Sequence, residues 1–291
     1  MRTTSPTGDV CRARDVQSNS QGTCGSVECT RGNLTSCVAA SLGRREPSRN
    51  DHGVCERPPT TALRSQKEYS IPIYGPHDSN HPLAAVSANV VVPLLIELLE
   101  PATALDVGCG SGGWVASLLD HGIDAYGVDA DHLPLDSLLF DQSRFIVRDL
   151  CQPLEVGRNF DLVLCLEVAE HLPPECGDTL VSGLVGHAPV VLFSAAIPGQ
   201  GGTGHINERW QSSWASSFAA HGYEPADCLR GRVWLNDGVA CWYAQNMLLY
   251  ADQDHVQGLK QRAVPLPLDV IHPGVWDVAQ DDVGRARRHI G

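Results

Sequence analysis

No run of eighteen apolar residues occurs in this chain of 291; the longest candidate, Val90–Leu99, is interrupted by Pro93 and Glu97. A membrane span is therefore not expected. The first residues also lack an apolar signal region, which predicts a cytoplasmic protein. None of the eleven cysteines forms a C-x-x-C pair, and the five among residues 1–65 match no zinc spacing. No internal repeat is visible. Cations are scarce: 21 Lys and Arg stand against 34 Asp and Glu, a net charge of −13. The deficit is uneven, because residues 1–65 carry nine Arg against six acids and the remainder is left near −16. A domain that acidic is repelled by a phosphate backbone, which argues against nucleic acid as a partner and for a small molecule.

The chain divides by composition. Residues 1–65 are rich in Ser, Thr, Arg, Gly and Asn without apolar periodicity, and read as a disordered leader. Residues 66–250 form the expected domain, and 251–291 a C-terminal extension. Within the domain, helical periodicity over Leu83–Glu100 precedes apolar strands at Thr103–Val107, Ala125–Asp129, Arg144–Val147, Asp161–Leu166 and Val190–Ala195. Helical patterns fall between them, and a further helix is expected over Asn207–His221. Such alternation predicts an α/β protein with a Rossmann-like doubly wound sheet. Two late strands, about Cys228–Leu235 and Cys241–Tyr250, flank Asn236-Asp237-Gly238, a turn suited to an antiparallel terminal hairpin. The six cysteines beyond the leader read as reduced residues.

The densest information lies in residues 104–113, Ala-Leu-Asp-Val-Gly-Cys-Gly-Ser-Gly-Gly. An apolar strand enters three closely spaced glycines, Gly108, Gly110 and Gly112, which let the backbone approach a ligand closely. The following helix points its N-terminus at that ligand. Gly108, Gly110 and Gly113 also satisfy the G-x-G-x-x-G dinucleotide fingerprint, so an NAD(P)-dependent oxidoreductase is the rival reading. Asp106 separates the two. A carboxylate beside the loop would repel a pyrophosphate but attracts the cationic sulfonium and ammonium of S-adenosylmethionine.

The D-x-G-x-G-x-G string from Asp106 to Gly112 resembles motif I of class I S-adenosylmethionine-dependent methyltransferases. The resemblance runs from about Ala84 to Tyr250 and implies that fold and S-adenosylmethionine as methyl donor. Ligands of doubly wound sheets sit beyond the carboxyl ends of the strands, where carboxylates recur. Asp129 ends the second strand and is placed for a ribose diol, with Asp131 as a weaker rival. By resemblance, Asp149 after the third strand would take the adenine amino group and Leu150 would pack beside the ring. Glu167 ends the fourth strand at the mouth of the site. Trp114 departs from the small residue the family pattern leads one to expect.

Methyl transfer to a hydroxyl or amine gains from a base that removes its proton. Two histidines are candidates: His171 in Glu167-Val-Ala-Glu170-His171, and His205 in the glycine-rich segment after the fifth strand. Arg209 and Trp210, which follow, are candidates for substrate contact, although Trp210, Trp214 and Phe218 also recur at core-helix spacing. The E-x-x-E-H string resembles two metal-dependent branches of the superfamily, the small-RNA 2′-O-methyltransferases and the ubiquinone-pathway catechol O-methyltransferases. That resemblance implies Glu167, Glu170, His171 and His205 around a divalent cation such as Mg²⁺ or Mn²⁺. The same string also resembles metal-free enzymes in which Glu and His shape the pocket. The expected activity is O-methylation of a small-molecule acceptor.

Overall fold

The computed structural model describes residues 82–131, 134–264 and 267–280; the expected leader, with its five cysteines, lies outside the described residues. Helix α1 (Pro82–Leu99) leads into β1 (Thr103–Val107), α2 (Gly113–Asp120), β2 (Asp124–Asp129), β3 (Phe145–Val147) and β4 (Leu162–Leu166). Then come α3 (Gly177–Val185), β5 (Val190–Ser194), α4 (Gln211–Ala220), β6 (Glu224–Ala226), α5 (Arg230–Val233), α6 (Cys241–Asn246), β7 (Leu248–Ala251) and α7 (Gln253–Lys260). The strands form one sheet in the order β3-β2-β1-β4-β5-β7-β6. β1 to β5 pair in parallel, and β7 runs antiparallel to both β5 and β6.

Burial explains the run-like sequences of the central strands. Every residue of β4 and β5 is buried, as in a sheet covered on both faces. One face packs against α1 and α2 through Val91, Leu95, Val115 and Leu118, together with Val233, Tyr243 and Val256 from the late helices. The other packs against α3 and α4 through Leu180, Leu184, Trp214 and Phe218. Phe218 stacks on Tyr250 at 3.9 Å. The doubly wound expectation thus holds, and β1 to β5 each begin and end within a residue of their predicted limits.

Four expectations change. Residues 228–235 and 241–246 are not strands. Asn236-Asp237-Gly238 does turn the chain, with Gly238 N donating to Asn236 Oδ1 at 2.9 Å, but it joins two helices. Leu229 with Val233, and Tyr243 and Ala244 with Met247, are buried at helical spacing, a period that segments this short do not reveal. The antiparallel pair is β6–β7, with that helical excursion between its strands.

Helix α1 crosses Pro93 unbroken and is long and apolar enough to span a bilayer, with mean hydropathy 1.9. Its Ala88, Val91, Val92 and Leu95 are nevertheless fully buried in the core against α2. The residues beyond 250 also pack into the body. Val256 and Leu259 of α7 are buried, and the fully buried Arg230 pairs with Asp227 at 2.8 Å while donating to the carbonyls of Pro267 and Leu268.

Finally, Cys151 and Cys176 form a disulfide across 25 residues of sequence, whereas Cys109, Cys165 and Cys228 are free and buried. The bridge ties the turn after β3 to the start of α3. A cross-link of this span stabilises by restricting the unfolded chain. Reduction, or Cys176→Ser, should lower the unfolding free energy by about 2–4 kcal/mol. Denaturant titration with and without reductant checks this; a wild-type curve indifferent to reductant would remove the bridge from the account.

Candidate functional site

The carboxyl ends of β1, β4 and β5 lie side by side in the sheet, and each releases a segment expected to carry chemistry. After β1 the backbone turns through Gly108, Gly110 and Gly112 with φ of 79°, 53° and 85°. Gly112 caps α2 in the left-handed region, and a Cβ there would come 2.1 Å from the Phe140 ring. A Cβ on Gly108 would strike Val168 at 2.3 Å. The loop is thus pressed between the segment before β3 and the turn after β4, and no side chain other than glycine's fits.

Asp106 is 2% exposed and its Oδ2 has no hydrogen-bond partner. Burial, with a smaller contribution from the Asp129 charge, pushes its carboxyl up to about 8. A buried acid without a partner is costly, and a cation brought alongside would relieve it. Asp129 accepts from Gly110 N at 2.8 Å and Ala130 N at 2.7 Å, so it splints the glycine loop. Each oxygen of an ionised carboxylate keeps a second acceptor position. Asp149 is exposed and accepts from Cys151 N at 2.9 Å, while Leu150 is buried beside it. Trp114 is buried edge-on to Tyr243, ring centroids 5.4 Å apart, so the unexpected indole packs.

After β4 the expected helical turn starts later than the sequence suggested. Glu167 has φ 55°, rare for a non-glycine residue, and its N–H donates to Ser194 O and Oγ at 3.0 and 3.1 Å. The 3₁₀ turn is Ala169–His171. Glu167 therefore lies outside the turn that carries Glu170 and His171, although its carboxylate remains close enough to Glu170 to act on it. Its Oε2 accepts from Gln200 Nε2 at 3.0 Å and its Oε1 from Asn246 Nδ2 at 3.2 Å. Gln245 and Asn246, both buried, extend this carboxamide network, which no periodic pattern in the sequence announces.

Glu170 is fully buried with neither oxygen partnered. Burial and the nearby Glu167 carboxylate hold its proton well above the usual carboxylate range. Its carbonyl accepts from Ile206 and Asn207 N–H at 2.8 and 3.0 Å, which fastens the loop after β5 to the turn after β4. His171 meets His205 edge to face at 4.9 Å. Burial, then the neighbouring imidazole, lowers the His171 pKa. The ligand-type atoms of Glu170, His171 and His205 all lie within 4.8 Å of one another. Three of the four residues expected around a cation thus converge, and Glu167 does not.

Two neighbours differ from expectation. Arg209 donates to Asn207 Oδ1 at 2.7 Å and Pro174 O at 2.9 Å and lies 4.7 Å over the Trp214 ring; its guanidinium braces the loop from behind. Trp210 is 38% exposed beside Ile206 at 59%, so it stands outside the core that Trp214 and Phe218 form. His121 and His221 are the C-cap residues of α2 and α4.

Because the folded state holds the Asp106 proton and the unfolded chain releases it near the ordinary value of 3.8, stability falls as pH rises from about 4 to about 8 and levels off above. Asp106→Asn should remove that share of the slope, about 1.4 kcal/mol per pH step within the window. Denaturant titrations at pH 5, 7 and 8.5 decide it; equal slopes in both proteins would contradict the burial argument.

Residues 84–179 match a family model described as a methyltransferase domain. Among curated proteins none matches the chain in sequence. Of solved structures, the sugar N-methyltransferase KedS8 from Streptoalloteichus is 18% identical, covering 66% of this chain and 98% of its own, with a TM-score of 0.48. The magnesium protoporphyrin IX methyltransferase from Synechocystis with bound SAM is 20% identical, covering 59% and 81%, with a TM-score of 0.46. DesVI from Streptomyces venezuelae is 14% identical over 60% and 94%, with a TM-score of 0.45. The antiparallel β7 and the family match set aside the oxidoreductase reading. Residues 84–179, with the acid-tagged glycine loop, carry a methyltransferase domain, and the seven-stranded order is that of the class I S-adenosylmethionine-dependent methyltransferase fold.

Proposed function

We propose that the chain methylates a small-molecule acceptor at a hydroxyl oxygen, with His205 as the base that takes the hydroxyl proton. The observation that carries this is the seating of His205. Its ring stands beside His171 and Glu170, on a loop fastened by two hydrogen bonds to the Glu170 carbonyl, next to the strand ends that hold the glycine loop.

S-adenosylmethionine supplies an electrophilic methyl group on a cationic sulfonium. The chain's own residues fit that donor: the unpartnered Asp106 carboxyl, which a bound cation would draw into its ionised form, and the Asp129 carboxylate flank a loop where Gly108 and Gly112 leave no room for a side chain. In this reading Gly108, Gly110 and Gly112 let the donor approach the backbone. Asp106 answers its positive charge, Asp129 takes the ribose, and Asp149 with Leu150 receives the adenine. Glu167 borders the donor from β4, its two carboxamide partners holding it in place. Displacement at the methyl group is in-line, so orientation supplies much of the rate, and His205 or His171 receives the proton as the acceptor oxygen attacks.

A specific observation also favours a second reading. Glu170, His171 and His205 could bind a divalent cation through one carboxylate and two imidazoles, with the acceptor oxygens as further ligands.

Calorimetry should show S-adenosylmethionine and S-adenosylhomocysteine binding at sub-millimolar concentration, with NAD⁺ unable to compete. Gly112→Ala, with φ 85° and the Phe140 ring in the way, should lose that binding at least tenfold. No heat from either ligand with folded wild-type protein would refute the site. Titration with Mn²⁺ tests the second reading: saturable binding that His171→Ala abolishes supports it, and silence dismisses it.

A further inference from the structure

The loop after β5 is organised around one carboxylate. Glu208 accepts from Gly199 N at 2.7 Å, from Gly201 N at 3.2 Å and from His205 Nδ1 at 3.1 Å. Two backbone donors and one imidazole converge on a side chain only 21% exposed. A carboxylate that takes both N–H groups acts as acceptor only, so the proton shared with His205 sits on Nδ1. The neutral ring must then leave Nε2 bare, with a lone pair free to accept a proton.

Gly202 supplies an independent observation from the other side of the ring. Its φ is 144°, and a Cβ built there would lie 2.3 Å from His205 Nε2. The side chain is therefore missing at the one place where it would cover the bare nitrogen. The glycines of this segment are not merely a flexible connection. Gly199 and Gly201 offer N–H groups to Glu208, and Gly202 passes the Nε2 edge where no side chain has room.

We propose that Glu208 is the positioning residue of this methyltransferase: it holds His205 as the Nδ1–H tautomer, with Nε2 directed away from the carboxylate as the proton acceptor. The proposal rests on His205 as base and adds what makes it one. Orientation of an imidazole by a buried acceptor is a recurrent arrangement in base catalysis. Here the acceptor lies only three residues from the histidine and also fixes the loop that carries it.

The test reads the tautomer directly. Long-range ¹H–¹⁵N spectra of histidine-labelled protein, with the His205 signals assigned by their loss in His205→Gln, should show the Nδ1–H form in the wild type. Glu208→Ala should lose that form, and Gly202→Ala should shift the Nε2 resonance while Nδ1–H is retained. S-adenosylhomocysteine affinity, measured by calorimetry, should stay within about twofold in both variants, since neither residue lies at the glycine loop after β1. An Nε2–H ring in the wild type overturns the proposal even if the variants fail to fold, and an unchanged tautomer in a folded Glu208→Ala does the same. Loss of S-adenosylhomocysteine binding in the wild type would instead strike the methyltransferase reading, so the two failures are distinguishable.

Discussion

Asp106 is buried at the end of the central strand with one oxygen unanswered and a second carboxylate, Asp129, close enough to raise its pKa. Desolvating acids in this way opposes folding, and among the described residues no cation pairs with Asp106 to offset it. Asp129 spends its hydrogen bonds on Gly110 and Ala130 and so shapes the loop. The outcome is an acid-lined recess at the N-terminus of α2, where Asp106 holds a proton that an incoming cation would release. A phosphate would meet repulsion there; a sulfonium or ammonium would be drawn in. Cofactor class is thus set by electrostatics that the fold maintains at its own expense.

The chemistry at the other strand ends follows from where the backbone is fastened. Ser194 at the end of β5 holds the strained Glu167 at the end of β4. Glu170 then reaches through its carbonyl to Ile206 and Asn207, and Asn207 Nδ2 returns to Ala169 O at 3.1 Å. Arg209 draws the same loop onto Pro174. The disulfide at Cys176 lies just beyond that proline and leads to the turn holding Asp149 and Leu150. A continuous set of short-range bonds therefore links the loop after β5 to the turn after β3. Small-residue loops are usually mobile; this one is clamped on two sides, as a group meant to hold a proton acceptor in line must be.

The sequence made much of this legible because the residues involved obey local rules. Glycines at alternate positions after an apolar strand, and acids at strand ends, need no partner elsewhere in the chain to be recognised. Strands β1 to β5 were readable because a sheet covered on both faces demands unbroken apolar runs. The later elements were not: Leu229–Val233 and Tyr243–Met247 mix a few apolar residues with Arg, Gly, Gln and Asn, too short a pattern to separate strand from helix, and only tertiary packing chooses. The Cys151–Cys176 bridge was hidden because its partners share no motif and meet only when the turn after β3 folds beside α3. Glu208 was hidden for another reason. Its role depends on backbone N–H groups, which no side-chain pattern announces.

What the site lacks in cations bears on its acceptor. Arg209, the guanidinium of the loop, is committed to Asn207, Pro174 and Trp214. The groups that border the expected point of transfer are Glu167, Glu170, His171, His205 and the carboxamides of Gln200 and Asn246. Among the described residues such a lining supplies acceptors and neutral donors, and no Lys or Arg side chain in it is free to pair with a phosphate or carboxylate. Next to it, Ile206 and Trp210 stand exposed, offering apolar surface where the remainder of a bound molecule would emerge. Polarity at the reacting atom and apolar contact outside it therefore go together, and both follow from the same short segment that Glu208 holds in place.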